Sequence, residues 1–415
     1  MTQTPLTKLM RLMILALGLG LLLGVISSAF LTSLNWVTQV HAQQPLLLWG
    51  LPFLGILTAF VYGRYGKNAH KGNNLIIDSI HQETQVPFRM AILTFIFTIS
   101  THLFGGSAGR EGTGVQIGGT LANTLSSQFK LDRNDQRLLI MAGVSAGFAS
   151  VFGTPLAGAI FGMEVAFIGK FSKEALLPCF ISAYVSAWVT HLLGITHTIF
   201  TIVSIPPWSV SLFVVTILAS ILFGLTGRSF ALLIHAFKKV FTKINLDPLL
   251  KAFIGGSLVV ILMITLQATR FSGLSTWLIQ AGFDGEVGLL DPLYKFGFTI
   301  LTLGSGFQGG EVTPLFGIGA SLGGLIGQLT KLEPSLLAAM GLIAVFGCAA
   351  NAPLTTVFLG IELFGIQAWP FYLMAAVISY LVSGHHGIYS AQVIHRRKHP
   401  FGSQVEGKTL HDLHH

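Results

Sequence analysis

Apolar residues fill the chain in long runs that short polar or glycine-rich stretches interrupt. The longest runs have the length that a helix needs to cross a bilayer, about 20 residues. Other runs are too short to cross it at a rise of about 1.5 Å per residue. The pattern predicts an all-α integral membrane protein in which some helices end inside the membrane. The apolar runs lie near 12–37, 46–63, 88–105, 114–126, 137–152, 155–169, 176–197, 208–236, 252–268, 293–305, 313–329, 336–349, 353–366 and 369–383.

The short apolar runs are bounded by glycine and proline, for example by Gly105-Gly106, Gly309-Gly310 and Pro353. A helix can break at membrane depth only where its freed backbone groups are buried in protein or line a water-filled cavity. We therefore expect the broken ends to lie inside the protein or beside a cavity.

The second half of the chain repeats features of the first. Residues 143–156 resemble residues 341–354 at a separation of 198 positions, and residues 109–113 resemble residues 309–313 at a separation of 200. Broken helices at matching places in two halves indicate a transport site at the interface between inverted repeats.

This organisation predicts a single transmembrane domain over residues 1–395. The first repeat is expected at about 45–235 and the second at about 250–395. A short basic tail with several histidines follows at 396–415.

Composition and charge narrow the class of protein. The chain is 52% hydrophobic and only 10% charged, whereas a soluble protein carries about 25% charged residues. The net charge is +8, and the basic residues cluster between apolar runs. This is typical of cytoplasmic loops, so we expect both termini in the cytoplasm and a lipid bilayer as the partner. Because the basic clusters lack the interleaved aromatics of a soluble binding module, we expect no nucleic-acid partner.

The two ends of the chain leave alternatives open. Leu12 to Phe30 is longer than the apolar core of a signal peptide and carries Gly20 and Gly24 at helix-packing spacing, so we interpret it as a membrane helix. In the tail, metal binding by histidines is the alternative to a solvated segment, which we favour; we expect no cofactor. These histidines are His411, His414 and His415.

Glu111 is the leading candidate for chemistry. It lies between Gly109 and Gly112 just before an apolar helix, where a helix start carries about half a positive charge and free N–H groups. An ionised carboxylate there can occupy the place of an anion, and protonation can release it. The alternative is a glutamate that caps the first turn of its own helix.

Several other polar residues have a structural and a functional interpretation. Glu311 can accept a proton or cap a helix, and Thr313 offers a hydroxyl donor beside Pro314. For Glu164 and Glu362 we favour structural hydrogen bonding. Capping is the simpler role for the Asn73-Asn74 pair, and a lone tyrosine such as Tyr389 is common at a membrane interface.

Ser107 and Ser145 each lie in a G-x-S-x-G sequence, the pattern of a nucleophile elbow. That elbow requires a preceding strand and acid and histidine partners, whereas helices are expected on both sides here. An intramembrane serine hydrolase is therefore the distant alternative, and the protein is expected not to be an enzyme.

These motifs resemble the CLC family of chloride channels and proton-coupled anion exchangers. The G-R-E-G-P sequence of that family is similar to residues 109–113, its G-x-F-x-P sequence to 310–314, and its N-A-P-L sequence to 351–354. The resemblance implies a homodimer with one pathway in each subunit, with Glu111 as the gating glutamate and Tyr389 near the central anion.

Departures from the family pattern resemble its bacterial CLC-F branch of fluoride/proton antiporters. Asn73 takes the place of the anion-coordinating serine, Val312 replaces a phenylalanine after Glu311, and the internal proton-relay glutamate of many exchangers falls at Val165. Fluoride is strongly hydrated, so its site needs strong donors, and we expect Glu311 to be neutral when fluoride binds.

The resulting hypothesis is a proton-coupled fluoride exporter of a bacterial inner membrane. The alternative is a chloride channel or a chloride/proton exchanger of the same family. Gating and proton transfer are assigned to Glu111. The anion-binding residues are expected to be Asn73, Gly112, Thr113, Glu311, Val312, Thr313 and Tyr389.

Overall fold

The computed structural model describes residues 5–399 and 405–414, and most of them are helical. The α-helices are α1 (Pro5–Gln43), α2 (Leu51–Val61), α3 (Asn73–His81), α4 (Arg89–Leu103), α5 (Glu111–Gln128), α6 (Arg133–Phe152), α7 (Pro155–Glu164), α8 (Leu176–Leu192), α9 (Val210–Lys243), α10 (Pro248–Thr265), α11 (Thr276–Asp284), α12 (Asp291–Gly304), α13 (Val312–Thr330), α14 (Pro334–Ala350), α15 (Pro353–Phe364), α16 (Trp369–Ser383) and α17 (Leu410–His414). Short 3-10 helices lie at Pro45–Gly50, Lys67–Lys71, Lys173–Ala175, Thr269–Phe271 and Ile366–Ala368, and a π-helical turn lies at Tyr62–Gly66. The strands are β1 (Phe167–Ile168) and β2 (Val393–Ile394).

Seven helical segments in the described ranges are long and apolar enough to cross a membrane. Other apolar helices are shorter, among them α4, α14 and α15, and α7 has only 10 residues. The expected mixture of spanning and broken helices is therefore confirmed. The spanning segments are Leu6–Gln43, Pro45–Lys71, Lys173–Leu192, Val210–Lys243, Pro248–Thr265, Val312–Thr330 and Ile366–Ser383.

The two halves pack in the same way. In the first half α5 packs on α6 and α3 touches both; in the second half α13 packs on α14 and α11 touches both. Likewise, α1 packs on α4, α6 and α8, whereas α9 packs on α12, α14 and α16. The repeat that the sequence predicts from its motifs thus extends to the arrangement of the helices.

Glycines bring the central helices into backbone contact in both halves. A Cβ atom at Gly118 of α5 would collide with the carbonyl oxygen of Gly143 in α6. At the equivalent contact, a Cβ at Gly319 of α13 would collide with the carbonyl oxygen of Gly341 in α14. Close approach of this kind is how small residues drive helix association in lipid.

The start of the chain packs as a membrane helix. The Gly20 and Gly24 positions of α1 lie against Ser182 and Val189 of α8, with 2.9 Å between a Cβ built at Gly20 and the Ser182 carbonyl oxygen. Ser27 in α1 hydrogen-bonds Ser150 in α6 at 2.7 Å. The helix-packing role expected for these glycines is confirmed.

The tail does not follow the expectation of a solvated segment. Its described part turns back onto β2, where Lys408 accepts a hydrogen bond from Ile394 and the N–H of His411 donates to Ser390. Val405 and Leu410 are buried against Ile168 and Ile394. That expectation was wrong because apolar side chains anchor the tail, although Glu406, Lys408 and Asp412 stay exposed. His415 lies outside the described residues, which contain no cluster that could hold a metal ion.

Candidate functional site

The two glycine-rich motifs meet at the centre of the protein. Gly109 and Gly310 pair in antiparallel fashion, with the N–H of Gly109 donating to Gly310 at 2.7 Å and the reverse bond at 2.8 Å. A Cβ at Gly310 would lie 2.7 Å from the Gly112 nitrogen, so the contact requires glycine. As a result, α5 and α13 begin on either side of one point.

Glu111 caps a helix, but that helix belongs to the other half of the protein. Its Oε2 atom accepts from the backbone N–H of Thr313 at 3.1 Å and from the Thr313 hydroxyl. The side chain is fully buried. The carboxylate therefore lies on the positive N-terminus of α13. The sequence analysis considered a gate or a cap of the helix that Glu111 itself begins, but not a cap of a helix in the other half.

The second oxygen of Glu111 is less constrained. Oε1 has no hydrogen-bond partner in the described chain, and it lies 3.5 Å from Nε of Arg110. Glu111 also lines a cavity of about 240 Å³ together with Arg110, His197 and Thr313. A carboxylate with one free oxygen beside a cavity has room to change position.

Three more of the expected residues converge beside Gly112. A Cβ built at Gly112 would lie 3.0 Å from Nδ2 of Asn73 and 3.7 Å from Oε2 of Glu311. Tyr389 is within electrostatic range of the Glu111 and Glu311 carboxylates. Asn73 Oδ1, Glu311 Oε2 and the Tyr389 hydroxyl are all buried without a hydrogen-bond partner among described residues. Such a group of unpartnered polar atoms is typical of a ligand site.

Other expected residues are placed differently. The Thr113 hydroxyl pairs with Thr98 at 2.8 Å, and the Thr113 N–H donates to the carbonyl oxygen of Arg110 at 3.1 Å, so both polar groups are already engaged. Val312 is buried in the first turn of α13. Asn73 starts α3 without capping it through its side chain, while Asn74 accepts from the N–H of Ala391 at 3.1 Å. The simple capping role for this pair was wrong.

The structural role expected for Glu164 and Glu362 is confirmed. Glu164, at the end of α7, accepts from the N–H groups of Leu354 and Thr355 at 2.9 and 2.8 Å. Glu362, in α15, accepts from the N–H groups of Leu156 and Ala157 at 2.9 and 2.7 Å. Each half thus supplies the carboxylate that caps a proline-initiated helix of the other half.

A second cavity lies on the other side of the central site. It has a volume of about 570 Å³ and is lined by Lys238, Lys239 and His411, and by Gly387 and Ser390 on either side of Tyr389. The smaller cavity reaches Leu363 at the end of α15, the helix that precedes α16, whereas the larger one reaches His386, just after α16 ends. The two cavities therefore approach Glu111 and Tyr389 from opposite ends of a spanning helix.

The serine motifs do not form a hydrolase site. Ser145 is buried and donates to the carbonyl oxygen of Ala159 at 3.3 Å. Ser107 is also buried, and it accepts a hydrogen bond from Nζ of Lys295 at 3.0 Å. Ser145 lies within α6, and Ser107 follows α4, so neither serine has the preceding strand that a nucleophile elbow requires. The sequence analysis overlooked Lys295, although a lone lysine in an apolar run was a visible signal.

Comparisons with known proteins agree with this geometry. Residues 54–384 match the profile of the family described as "Voltage gated chloride channel". A "Chloride/fluoride channel protein" of Pseudomonas syringae pv. tomato is 42% identical over 407 residues, covering 95% of this chain and 89% of that protein. The "H(+)/Cl(-) exchange transporter ClcA" of Vibrio cholerae is 28% identical over 308 residues, covering 69% of this chain and 65% of that protein.

Solved structures are similar as well. The crystal structure of a CLC-type fluoride/proton antiporter superposes with a TM-score of 0.91 at 36% identity, covering 95% of this chain and 100% of that one. A slow cyanobacterial Cl−/H+ antiporter superposes with a TM-score of 0.78 at 21% identity, covering 92% of this chain and 95% of that one. The second likeness concerns the fold alone.

Proposed function

The chain belongs to the voltage-gated chloride channel family, known as CLC, and from this premise we propose that it is a proton-coupled fluoride exporter. Its relatives include a fluoride/proton antiporter and an H(+)/Cl(-) exchange transporter, so it is a secondary active transporter and not an enzyme. The names of the 42% identical relative and of the 36% identical antiporter support fluoride as the substrate. The observation that carries the mechanism is the Glu111 carboxylate on the N-terminus of α13.

In the proposed cycle Glu111 and the anion compete for the same donors. The ionised carboxylate accepts from the backbone and hydroxyl groups of Thr313. Protonation removes the charge that holds Glu111 there, so that fluoride can take its place on the positive helix end. Glu111 then carries the proton in the direction opposite to fluoride. Proton entry would drive fluoride out of the cell.

We propose that fluoride binds beside Gly112. The amide Nδ2 of Asn73 and the hydroxyls of Tyr389 and Thr313 are donors, and donors at close range can replace the water around a small anion. Glu311 would be neutral and would donate through its carboxyl O–H, which accounts for a carboxyl oxygen, Oε2, that is buried next to an anion. Gly112 and Val312 would complete the proposed site through the backbone of the two helix starts, whereas Thr113, whose N–H and hydroxyl are engaged, would line it.

The setting of the protein is part of the proposal. The basic clusters between apolar runs favour cytoplasmic termini, and the bacterial relatives favour the inner membrane. Family membership favours a homodimer with one pathway per subunit. We keep residues 1–395 as one transmembrane domain, and the equivalent packing of α1 and α9 favours these helices as the first elements of the two repeats.

The test is transport by the purified protein in liposomes, with fluoride and proton electrodes read together. We expect fluoride efflux coupled to proton uptake, with fluoride preferred over chloride. Glu111→Gln should abolish coupling, whereas Glu286→Gln, at an exposed position, should not. Glu311→Gln should keep measurable transport if the carboxyl acts in its neutral form.

The outcomes separate the alternatives. Preference for chloride would support a chloride channel or exchanger, in line with the 28% identical exchange transporter. Fluoride flux without proton movement in the unaltered protein would exclude antiport. Unchanged coupling in Glu111→Gln would refute the assigned mechanism, and complete loss of transport in Glu311→Gln would count against a purely neutral role.

A further inference from the structure

A charged side chain that the transport cycle does not use lies at the centre of the second half. Lys295 in α12 is fully buried, and no carboxylate within the described residues forms an ion pair with it. A lysine at membrane depth is costly to insert and is rarely retained without a function. The contacts of Lys295 indicate what this function is.

The lysine side chain joins three segments of the chain. Nζ donates to the carbonyl oxygen of Gly273 at 2.7 Å and to the hydroxyls of Ser107 and Ser275, both at 3.0 Å. An ammonium group has three protons to donate, so these three oxygens satisfy it. Ser107 belongs to the loop before Glu111, whereas Gly273 and Ser275 precede α11 in the second half.

Three polar residues on one face of α12 contact Ser107. Lys295 donates to its hydroxyl, the Thr299 hydroxyl lies 3.2 Å from the same atom, and the Thr302 hydroxyl accepts from the Ser107 N–H at 3.2 Å. Residues at these spacings share one side of a helix. The second half thus fixes both the backbone and the side chain of this residue.

Ser107 leads directly into the central site. Gly109 follows two residues later and pairs with Gly310, and Glu111 follows two residues after that. The N–H of Gly273 also donates to the carbonyl oxygen of Gly106 at 3.2 Å. Since the distance from Glu111 to Thr313 depends on where this loop lies, the contacts of Lys295 bear on the position of the carboxylate.

We propose that Lys295 is a positioning residue for Glu111, because its ammonium group fastens the loop at Ser107 to the second half of the protein. The proposal rests on the proposed function for the measurement of proton-coupled transport, but not for the measurement of amide hydrogen exchange. Without the ammonium, the Gly109–Gly310 pairing loosens, and Glu111 meets Thr313 less often. Fluoride then passes without an obligatory proton.

The experiment compares Lys295→Met with Lys398→Met. Lys398 is also buried and also donates to a serine hydroxyl, Ser383, at 2.9 Å, but it lies in the tail region. In Lys295→Met we expect a loss of proton uptake per fluoride released and faster amide hydrogen exchange in peptides covering 105–112 and 306–312. In Lys398→Met we expect neither. Unchanged coupling and unchanged exchange in a folded Lys295→Met protein would overturn the proposal.

Ser107→Ala keeps the proposal testable if Lys295→Met fails to fold. This variant leaves Lys295 bonded to Gly273 and Ser275 and removes the hydrogen bond from its ammonium group to the Ser107 hydroxyl. It should therefore show faster amide exchange at 105–112 and partial loss of proton coupling. Normal exchange and coupling in Ser107→Ala would overturn the proposal. If the unaltered protein does not transport fluoride, the proposed function fails, and hydrogen exchange still decides the role of Lys295.

Discussion

The reciprocal caps formed by Glu164 and Glu362 allow a quantitative prediction about stability. Each glutamate is replaced by glutamine, which preserves the shape of the side chain but removes its charge. Glutamine has one oxygen to accept with, and its NH₂ group can only donate. At both sites, one backbone N–H of the capped helix therefore loses its acceptor.

The two substitutions should differ in size. Glu164 is buried and accepts from the N–H groups of Leu354 and Thr355 and from the Thr355 hydroxyl, at 2.9, 2.8 and 2.7 Å. A hydrogen bond to a charged group contributes about 1.5–3 kcal/mol, so we expect Glu164→Gln to lower the free energy of unfolding by about 3 kcal/mol. Glu362 has two such donors and is only partly buried, so that solvent can compensate more of the loss, and about 1 kcal/mol is expected there.

The assay is equilibrium unfolding of the purified protein by SDS in mixed micelles, followed by far-ultraviolet circular dichroism. Glu174→Gln, at an exposed position in the 3-10 helix Lys173–Ala175, is the control and should have the same stability as the unaltered protein. Equal effects of Glu164→Gln and Glu362→Gln, or a larger effect of Glu362→Gln, would refute the argument from burial and donor number.

Two further predictions concern the central site and the helix contacts. Tyr389→Phe removes a buried hydroxyl that has no partner in the described chain, so the free energy of unfolding should change by less than about 0.5 kcal/mol. The apparent fluoride affinity should fall about tenfold, because the anion loses a donor. Unchanged affinity in an electrode titration would contradict a donor role. Gly341→Val should prevent folding, because the valine side chain would collide with the carbonyl oxygen of Gly319. The control Gly297→Ala, at a position that faces open space, should behave normally in gel filtration. A folded Gly341→Val protein would contradict the close packing.

The sequence was sufficient for the class of fold and for the existence of two halves. Long apolar runs and the paired motifs at 109–113 and 309–313 predicted a helical membrane protein with broken helices, which the structure confirms. The helix α11, of 9 residues, was missed because nine residues show little periodicity. The docking of the tail was missed because the apolar residues that anchor its described part, Val405, Leu410 and Leu413, are isolated in the sequence.

Candidate site residues could be named from the sequence, but their contacts could not. Local pattern placed Glu111 at a helix start, but the helix it caps, α13, is set by how the two halves dock. The same limitation applies to Lys295, whose partners lie in distant segments of the sequence. The location of Asn73 and Tyr389 beside the site came from the family resemblance, since an isolated asparagine or tyrosine carries little signal.

The four glutamates at the repeat interface differ in a way that bears on which one moves. Glu164 and Glu362 each have both oxygens bound to backbone N–H groups of the opposite half, so any movement would break two charge-assisted bonds. Glu111 holds α13 through Oε2 alone. Glu311, its counterpart in the repeat, does not cap α5 in return: its Oε2 is unpartnered, and the Thr113 N–H bonds to Arg110. Glu111 is therefore the only one of these three caps that holds its helix through a single oxygen atom. This difference favours Glu111 as the carboxylate that moves, and its departure would leave the donors of Thr313 at the start of α13 to the anion.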